Sequence, residues 1–133
     1  MLAPCGLDFL SYGGRPDKLA ATEGRARYVQ DSFRIQVRST AEELREAADV
    51  VAERLNASTG PFVFLNPLRG WSSVDREGRP LYDPAADAAF FAALREKLVR
   101  KDAIVDVDLN LYDPAFACVA VDRLVGLMRG SRG

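Results

Sequence analysis

Phe62-Val63-Phe64-Leu65-Asn66-Pro67 is the stretch on which the fold turns. Four apolar side chains in succession occupy both faces of a strand, so both faces must be covered, and Asn66-Pro67 then ends the run. A strand of this kind belongs in the middle of a parallel sheet with helices above and below it. The segments on either side carry the same grammar. Downstream, Asp83-Pro84 sets an N-cap and a first helical position where a missing N–H costs nothing. The helix that follows directs Phe90, Phe91, Leu94 and Leu98 inward and ends in the basic residues Arg95, Lys97 and Arg100, which complement its dipole.

A third unit repeats the pattern: a strand from Ile104 to Leu109, the cap Asp113-Pro114, then Phe116, Ala120, Leu124 and Leu127 or Met128 on the core side. Cys118, inside this apolar helix, reads as core. Upstream, Phe33, Ile35 and Val37 alternate with Arg34 and Gln36. Thr40 and Glu43 form a capping box ahead of Leu44, Ala48, Val51 and Leu55. Three strand-then-helix units predict an α/β domain of three layers, a mostly parallel, Rossmann-like sheet with helices on both faces. Residues 1–32 are irregular, with Gly6, Gly13, Gly14, Pro16 and Gly24 breaking any long element. A stretch of that kind expects a neighbour, either another part of a larger protein or a second copy of the chain.

The 133 residues fit one domain, and 48% hydrophobic with 28% charged residues is the composition of an ordinary folded chain. A net charge of −1 creates no field that would gather nucleic acid or anionic lipid. The opening residues lack a signal-peptide pattern and no apolar run reaches membrane-spanning length, so a cytoplasmic location is expected. Two cysteines do not make a disulfide framework, and Asn56-Ala57-Ser58 reads as a helix end.

Histidine is absent, which excludes a Ser-His-Asp triad, a Cys-His dyad, histidine zinc sites and an imidazole base. Neither G-x-x-x-x-G-K-[ST] nor a strand-borne G-x-G-x-x-G is present. No tightly bound cofactor is expected, and the chain on its own is not expected to be a complete enzyme.

Ligands of open parallel sheets collect beyond the carboxyl ends of the strands, where loops enter helices. Three segments meet that description. Arg38-Ser39-Thr40 offers a cation and two hydroxyls to a phosphate or carboxylate, or else serves only to cap the helix and pair with a surface acid. The connection from Asn66 to Tyr82 is much longer than the ~2–6 residues usual there. It presents Arg69, Gly70, Trp71, Ser72 and Ser73, followed by a turn at Asp75-Arg76-Glu77-Gly78 between two short extended arms; the alternative is a flap whose Trp71 covers the core. Asp106, Asp108 and Asn110 share one strand face, with Asp113 beyond them, an oxygen set that could hold magnesium or could simply be a solvated edge and a cap. The candidate ligand residues are therefore Arg38, Ser39, Thr40, Arg69, Gly70, Ser72, Ser73 and Asp113, with no metal assigned.

Longer patterns carry a resemblance. Pro67-Leu68-Arg69-Gly70-Trp71-Ser72-Ser73-Val74-Asp75, then Gly78-Arg79-Pro80-Leu81-Tyr82-Asp83-Pro84, occur in order with Pro4-Cys5-Gly6-Leu7-Asp8, Val37-Arg38-Ser39-Thr40 and Asp113-Pro114-Ala115-Phe116-Ala117. Together they resemble the second half of the tobamovirus-resistance-like (Tm-one-like) ATP-binding proteins, over nearly the whole chain. The resemblance implies a C-terminal α/β subdomain preceded by another that binds ATP, with magnesium in the intact protein. Gln30 and Asn110 stand where family members often carry histidines, and Tyr112 replaces an asparagine. The expected function is a ligand-binding or regulatory subdomain that holds a small anion and works with the preceding ATP-binding subdomain, in a homo-oligomer such as a homodimer. The alternative is an oligomerisation or protein-interaction module without ligand chemistry. Neither nucleic acid nor membrane is an expected partner.

Overall fold

The computed structural model describes residues 1–13 and 15–130, so Gly14, one of the expected breaks, lies outside the described residues. The chain is a mixed α/β structure with three long helices and two small sheets. In order the elements are β1 (Phe9–Tyr12), the short α1 (Pro16–Ala20), β2 (Arg27–Val29), β3 (Ile35–Arg38), α2 (Ala41–Asn56), β4 (Phe64–Pro67), α3 (Pro84–Lys97), a 3-10 turn, β5 (Ile104–Val107) and α4 (Pro114–Gly130). Among the described residues no helix is long and apolar enough to cross a membrane.

The expected strand is present as β4 but shifted to Phe64–Pro67: Asn66 and Pro67 belong to it instead of ending it, because β5 continues alongside them, and it is buried at all four positions and paired in parallel with β5 in the register Phe64↔Ile104 to Pro67↔Val107. Its two faces are covered as the apolar run requires. Phe64 joins Leu44, Ala48, Phe90, Phe91 and Leu94 of α2 and α3 in one core cluster, while Val63 and Leu65 meet Val107, Phe116 and Ala120 under α4. Trp71 is fully buried, and its ring meets those of Phe90 and Phe91 edge to face at 5.5 and 5.9 Å. On the other edge of β4, Leu2 forms a parallel bridge with Phe64, its N–H donating to Val63 O (2.8 Å) and its carbonyl accepting from Leu65 N–H (2.9 Å).

The expected single parallel sheet is corrected at β3. This strand does not lie beside β4; it is the centre of a separate antiparallel sheet in the order β1-β3-β2. The reason lies in residues 1–32, whose two short extended pieces satisfy both edges of β3 before any parallel neighbour can. Asp31 organises the β2–β3 turn by accepting from the N–H groups of Phe33 and Arg34 at 2.9 and 2.8 Å, which leaves Phe33 outside the strand and exposed.

The helix starts follow the sequence. Thr40 Oγ1 accepts from Glu43 N–H, and the Glu43 carboxylate accepts from Thr40 N–H at 2.8 Å, a complete capping box. Asp83 caps α3 through Ala86 N–H (3.0 Å), and Asp113 caps α4 through Ala115 N–H (2.9 Å). Two expectations for α4 are corrected: Leu124 is 41% exposed and Cys118 is also exposed. Two strands make a narrow platform, and only part of the helix circumference finds it.

Candidate functional site

Residues 68–82 build the site because Gly70 allows the chain to reverse sharply. Its φ is +97°, and a Cβ there would sit 1.9 Å from the carbonyl oxygen of Asp75. The loop then closes on itself. Trp71 N–H donates to Asp75 Oδ2 (2.9 Å), and Ser72 Oγ accepts from Asp75 N–H (3.0 Å). Asn110 fastens it from β5's side, its amide donating to the carbonyls of Arg69, Ser72 and Asp75 at 2.9, 3.3 and 3.1 Å. The expected extended arms are not strands; they meet through one backbone bond, Leu81 N–H to Val74 O (3.0 Å).

Outside this loop, at the carboxyl end of β4 and β5, a cleft of about 750 Å³ is lined by the cations Arg69 and Arg76, the acids Glu77 and Asp113, and the rings of Tyr82 and Tyr112, among others. Arg69 makes a two-pronged ion pair with Asp108, both contacts 2.8 Å, which holds the Asp108 carboxyl below its usual range. Both partners are about two-thirds exposed, so the pair is worth little and can open. The Arg76 guanidinium has no acidic partner among the described residues.

Inside the loop lies a second charged group. Arg38, 5% exposed, donates to the carbonyls of Asp8 (2.8 Å) and Asp83 (3.0 Å), pairs closely with Asp87 and lies 3.9 Å from Asp75. Two buried carboxyls, Asp75 and Asp87, thus share one buried cation, and the buried Asp8 carboxyl lies within reach of its charge. Burial, with the Asp75 charge beside it, pushes Asp87 up to about 8 despite Arg38. Burial also pushes Asp8 up, against a lowering contribution from the Ser72 hydroxyl, although neither Asp8 oxygen makes a hydrogen bond of ordinary geometry.

The eight expected ligand residues therefore fall into three groups. Arg69 and Asp113 line the outer cleft, and Gly70 shapes it. Arg38 is spent on internal partners, Ser39 donates to Leu7 O (2.7 Å), and Thr40 is a cap. Ser72 organises the loop and, with the exposed Ser73, borders a smaller pocket next to the cleft. The oxygen set on β5 is likewise occupied: Asp106 binds Asn66 and Arg95, and Asp108 binds Arg69. Sequence reading passed over Asp87. Its signal was an acid placed one turn before Phe90 and Phe91 on the buried face of α3, where nothing charged belongs without a partner.

The sequence profile of the uncharacterised protein family (UPF0261) C-terminal domain matches residues 1–128. A UPF0261 protein of Clostridium tetani is 32% identical over 132 residues, covering 96% of this chain and 32% of the relative. One from Rhizobium meliloti is 40% identical over 100 residues, 74% of this chain and 25% of the relative. One from Mesorhizobium japonicum is 33% identical over 97 residues, 71% of this chain and 24% of the relative. The chain thus spans about a quarter to a third of the length of the curated relatives it matches.

Proposed function

Because the chain belongs to the UPF0261 family, as its C-terminal domain, we propose that it is the ligand-binding or regulatory part of a longer protein and holds a small anion, phosphate or carboxylate, in the cleft at the carboxyl end of β4 and β5. One observation carries this reading: Arg76, with no acidic partner among the described residues, shares that cleft with Arg69, whose own ion pair is exposed and exchangeable. A guanidinium freed from Asp108 can grip two oxygens of an incoming anion. Tyr82 and Tyr112 add hydroxyls, while Glu77 and Asp113 in the same cleft oppose further negative charge, which limits the ligand to a single compact anionic head.

ATP with magnesium belongs, on the Tm-one-like resemblance, to the portion that precedes this domain in the longer relatives. Neither common glycine-rich nucleotide motif occurs in the sequence of this domain. The parallel β4–β5 pair, extended by the Leu2 bridge and covered on both faces, is read as part of a wider three-layer sheet in the whole protein. A cytoplasmic location agrees with this reading.

The test is thermal unfolding with phosphate, acetate and methyl phosphate. Ligand at a hundred times Kd should stabilise the chain by ~2.7 kcal/mol, and Arg76→Ala should remove the effect. No shift with any of the three anions defeats the proposal. A second reading, self-association, draws on Val29 and Phe33, 63% and 76% exposed at the tip of the β2–β3 hairpin. Sedimentation decides it: a monomer at all concentrations ends that reading.

A further inference from the structure

α4 carries more apolar surface than the sheet beneath it covers. Three of its 17 residues are charged, yet the buried ones are Phe116 and Ala120, with Val119 and Leu127 half-buried beside them. Ala117, Cys118, Val121 and Leu124 are exposed and Val125 is half-buried. Cys118, Val121 and Val125 follow at intervals of three and four, so they form one line along the helix, with Leu124 adjoining it. The two faces of the β4–β5 pair account for the surplus. On one face α2 and α3 pack on each other as well as on the strands, whereas α4 has no second helix packed along it among the described residues. A groove of about 740 Å³ borders it instead, lined by Phe62, Val63, Val105 and Leu127 with two arginines and two aspartates, Asp122 among them.

The charges beside this apolar line indicate what covers it. Asp122 and Arg129 lie seven residues apart, almost two turns, so both sit on the same side of the line. Neither has an ion-pair partner among the described residues. Apolar residues at intervals of three and four with charges on the flank are the repeat of a helix-to-helix seam. When two such helices pack antiparallel, each flank meets the same flank of the other. Asp122 then faces Arg129 of a second copy, and Arg129 faces its Asp122. A parallel pairing would set these charges against the opposite flank, where Ala117 and Leu124 stand. The helix is therefore complementary to itself, as a two-fold interface between identical copies requires.

We propose that two copies of this chain associate through α4, antiparallel, about a two-fold axis beside Val125. The pairing covers Val121, Leu124 and Val125 of each copy and forms two Asp122–Arg129 ion pairs. It rests neither on the anion cleft, which borders the first residues of α4 at Asp113 and Pro114, nor on the β2–β3 hairpin.

Sedimentation equilibrium of the chain and its variants reads the pairing directly. The parent chain should show a reversible monomer–dimer equilibrium. Asp122→Arg and Arg129→Asp should each weaken it by roughly tenfold or more, because each sets like charges against one another in both pairs, and the two together should restore it. All these side chains are exposed, so Tm of the monomer should stay near that of the parent. Val29→Ser with Phe33→Ser, in the hairpin, should associate as the parent does. In a chain carrying Cys5→Ser and Cys118→Ser, Val125→Cys should form a disulfide between copies under mild oxidation, and Val50→Cys, at an exposed position of α2, should not. A monomer at every concentration, which would leave α4 to a different protein, overturns the proposal. So does a dimer that the combined charge exchange does not restore, one that the hairpin variant abolishes, or one in which Val125→Cys crosslinks no better than Val50→Cys.

Discussion

Arg38 at the end of β3 donates to the Asp87 carboxyl in the first turns of α3, a contact with almost no solvent exposure, and Asp75 of the site loop lies against the same guanidinium. The pair joins the antiparallel sheet to the helix packed on the parallel one. Removing its cation leaves three carboxyls buried together. Arg38→Met should therefore cost about 3–5 kcal/mol, read as a lower urea midpoint with unchanged slope. Adding Asp87→Leu to that variant should recover a large part of the loss.

The same cluster fixes the sign of the pH dependence. The Asp87 carboxyl titrates near 8 in the folded chain against 3.8 for the ordinary group, so the folded state keeps a proton that the unfolded state releases. Its contribution is full below about pH 4 and is lost as pH rises toward 8. Asp8 shifts in the same direction. Asp108, which titrates low, has completed its opposite contribution below this window. Tm should fall between pH 5 and pH 8, and Asp87→Asn should flatten that fall.

Gly70→Ala combines a positive φ with an overlap against the Asp75 carbonyl, which is backbone and cannot turn aside. It should cost at least about 2 kcal/mol. The damage should be local first: hydrogen exchange at residues 70–75 should accelerate more than exchange in α2.

Asn110→Ala deletes the amide that reaches three loop carbonyls. A loss of about 1–3 kcal/mol is expected. Limited proteolysis should find new cleavage between residues 69 and 82. Anion-dependent stabilisation should disappear in the same variant, because Arg69 and Arg76 are carried by that loop.

The capping box offers a smaller, cleaner effect. Thr40→Ala should cost about 1 kcal/mol without altering ligand binding, since its hydroxyl is engaged with Glu43 N–H.

What was legible in the sequence was local chemistry. The Thr40-Glu43 box and the two Asp-Pro starts act over a few residues and appear where the pattern put them, whereas the apolar run forms its strand two residues later than read, at Phe64–Pro67. The partner of β3 was not legible. Choosing between a parallel neighbour far along the chain and two antiparallel ones close by depends on pairings that no short pattern encodes. The site divided along the same line. Arg69 and Asp113 follow directly from strand ends, whereas the fate of Arg38 depended on Asp8 and Asp87, 30 and 49 residues away. A cation beside two hydroxyls reads the same whether it waits for a ligand or closes a core.

The bridge at Leu2 has a mechanical consequence. Its two hydrogen bonds flank β4 on the side away from β5 and run across the direction of the chain, so tension on the first residue loads both at once, in shear, instead of peeling them singly. A pull arriving from that end is delivered to the most deeply packed strand of the molecule, whose opposite end opens directly onto the arginine cleft.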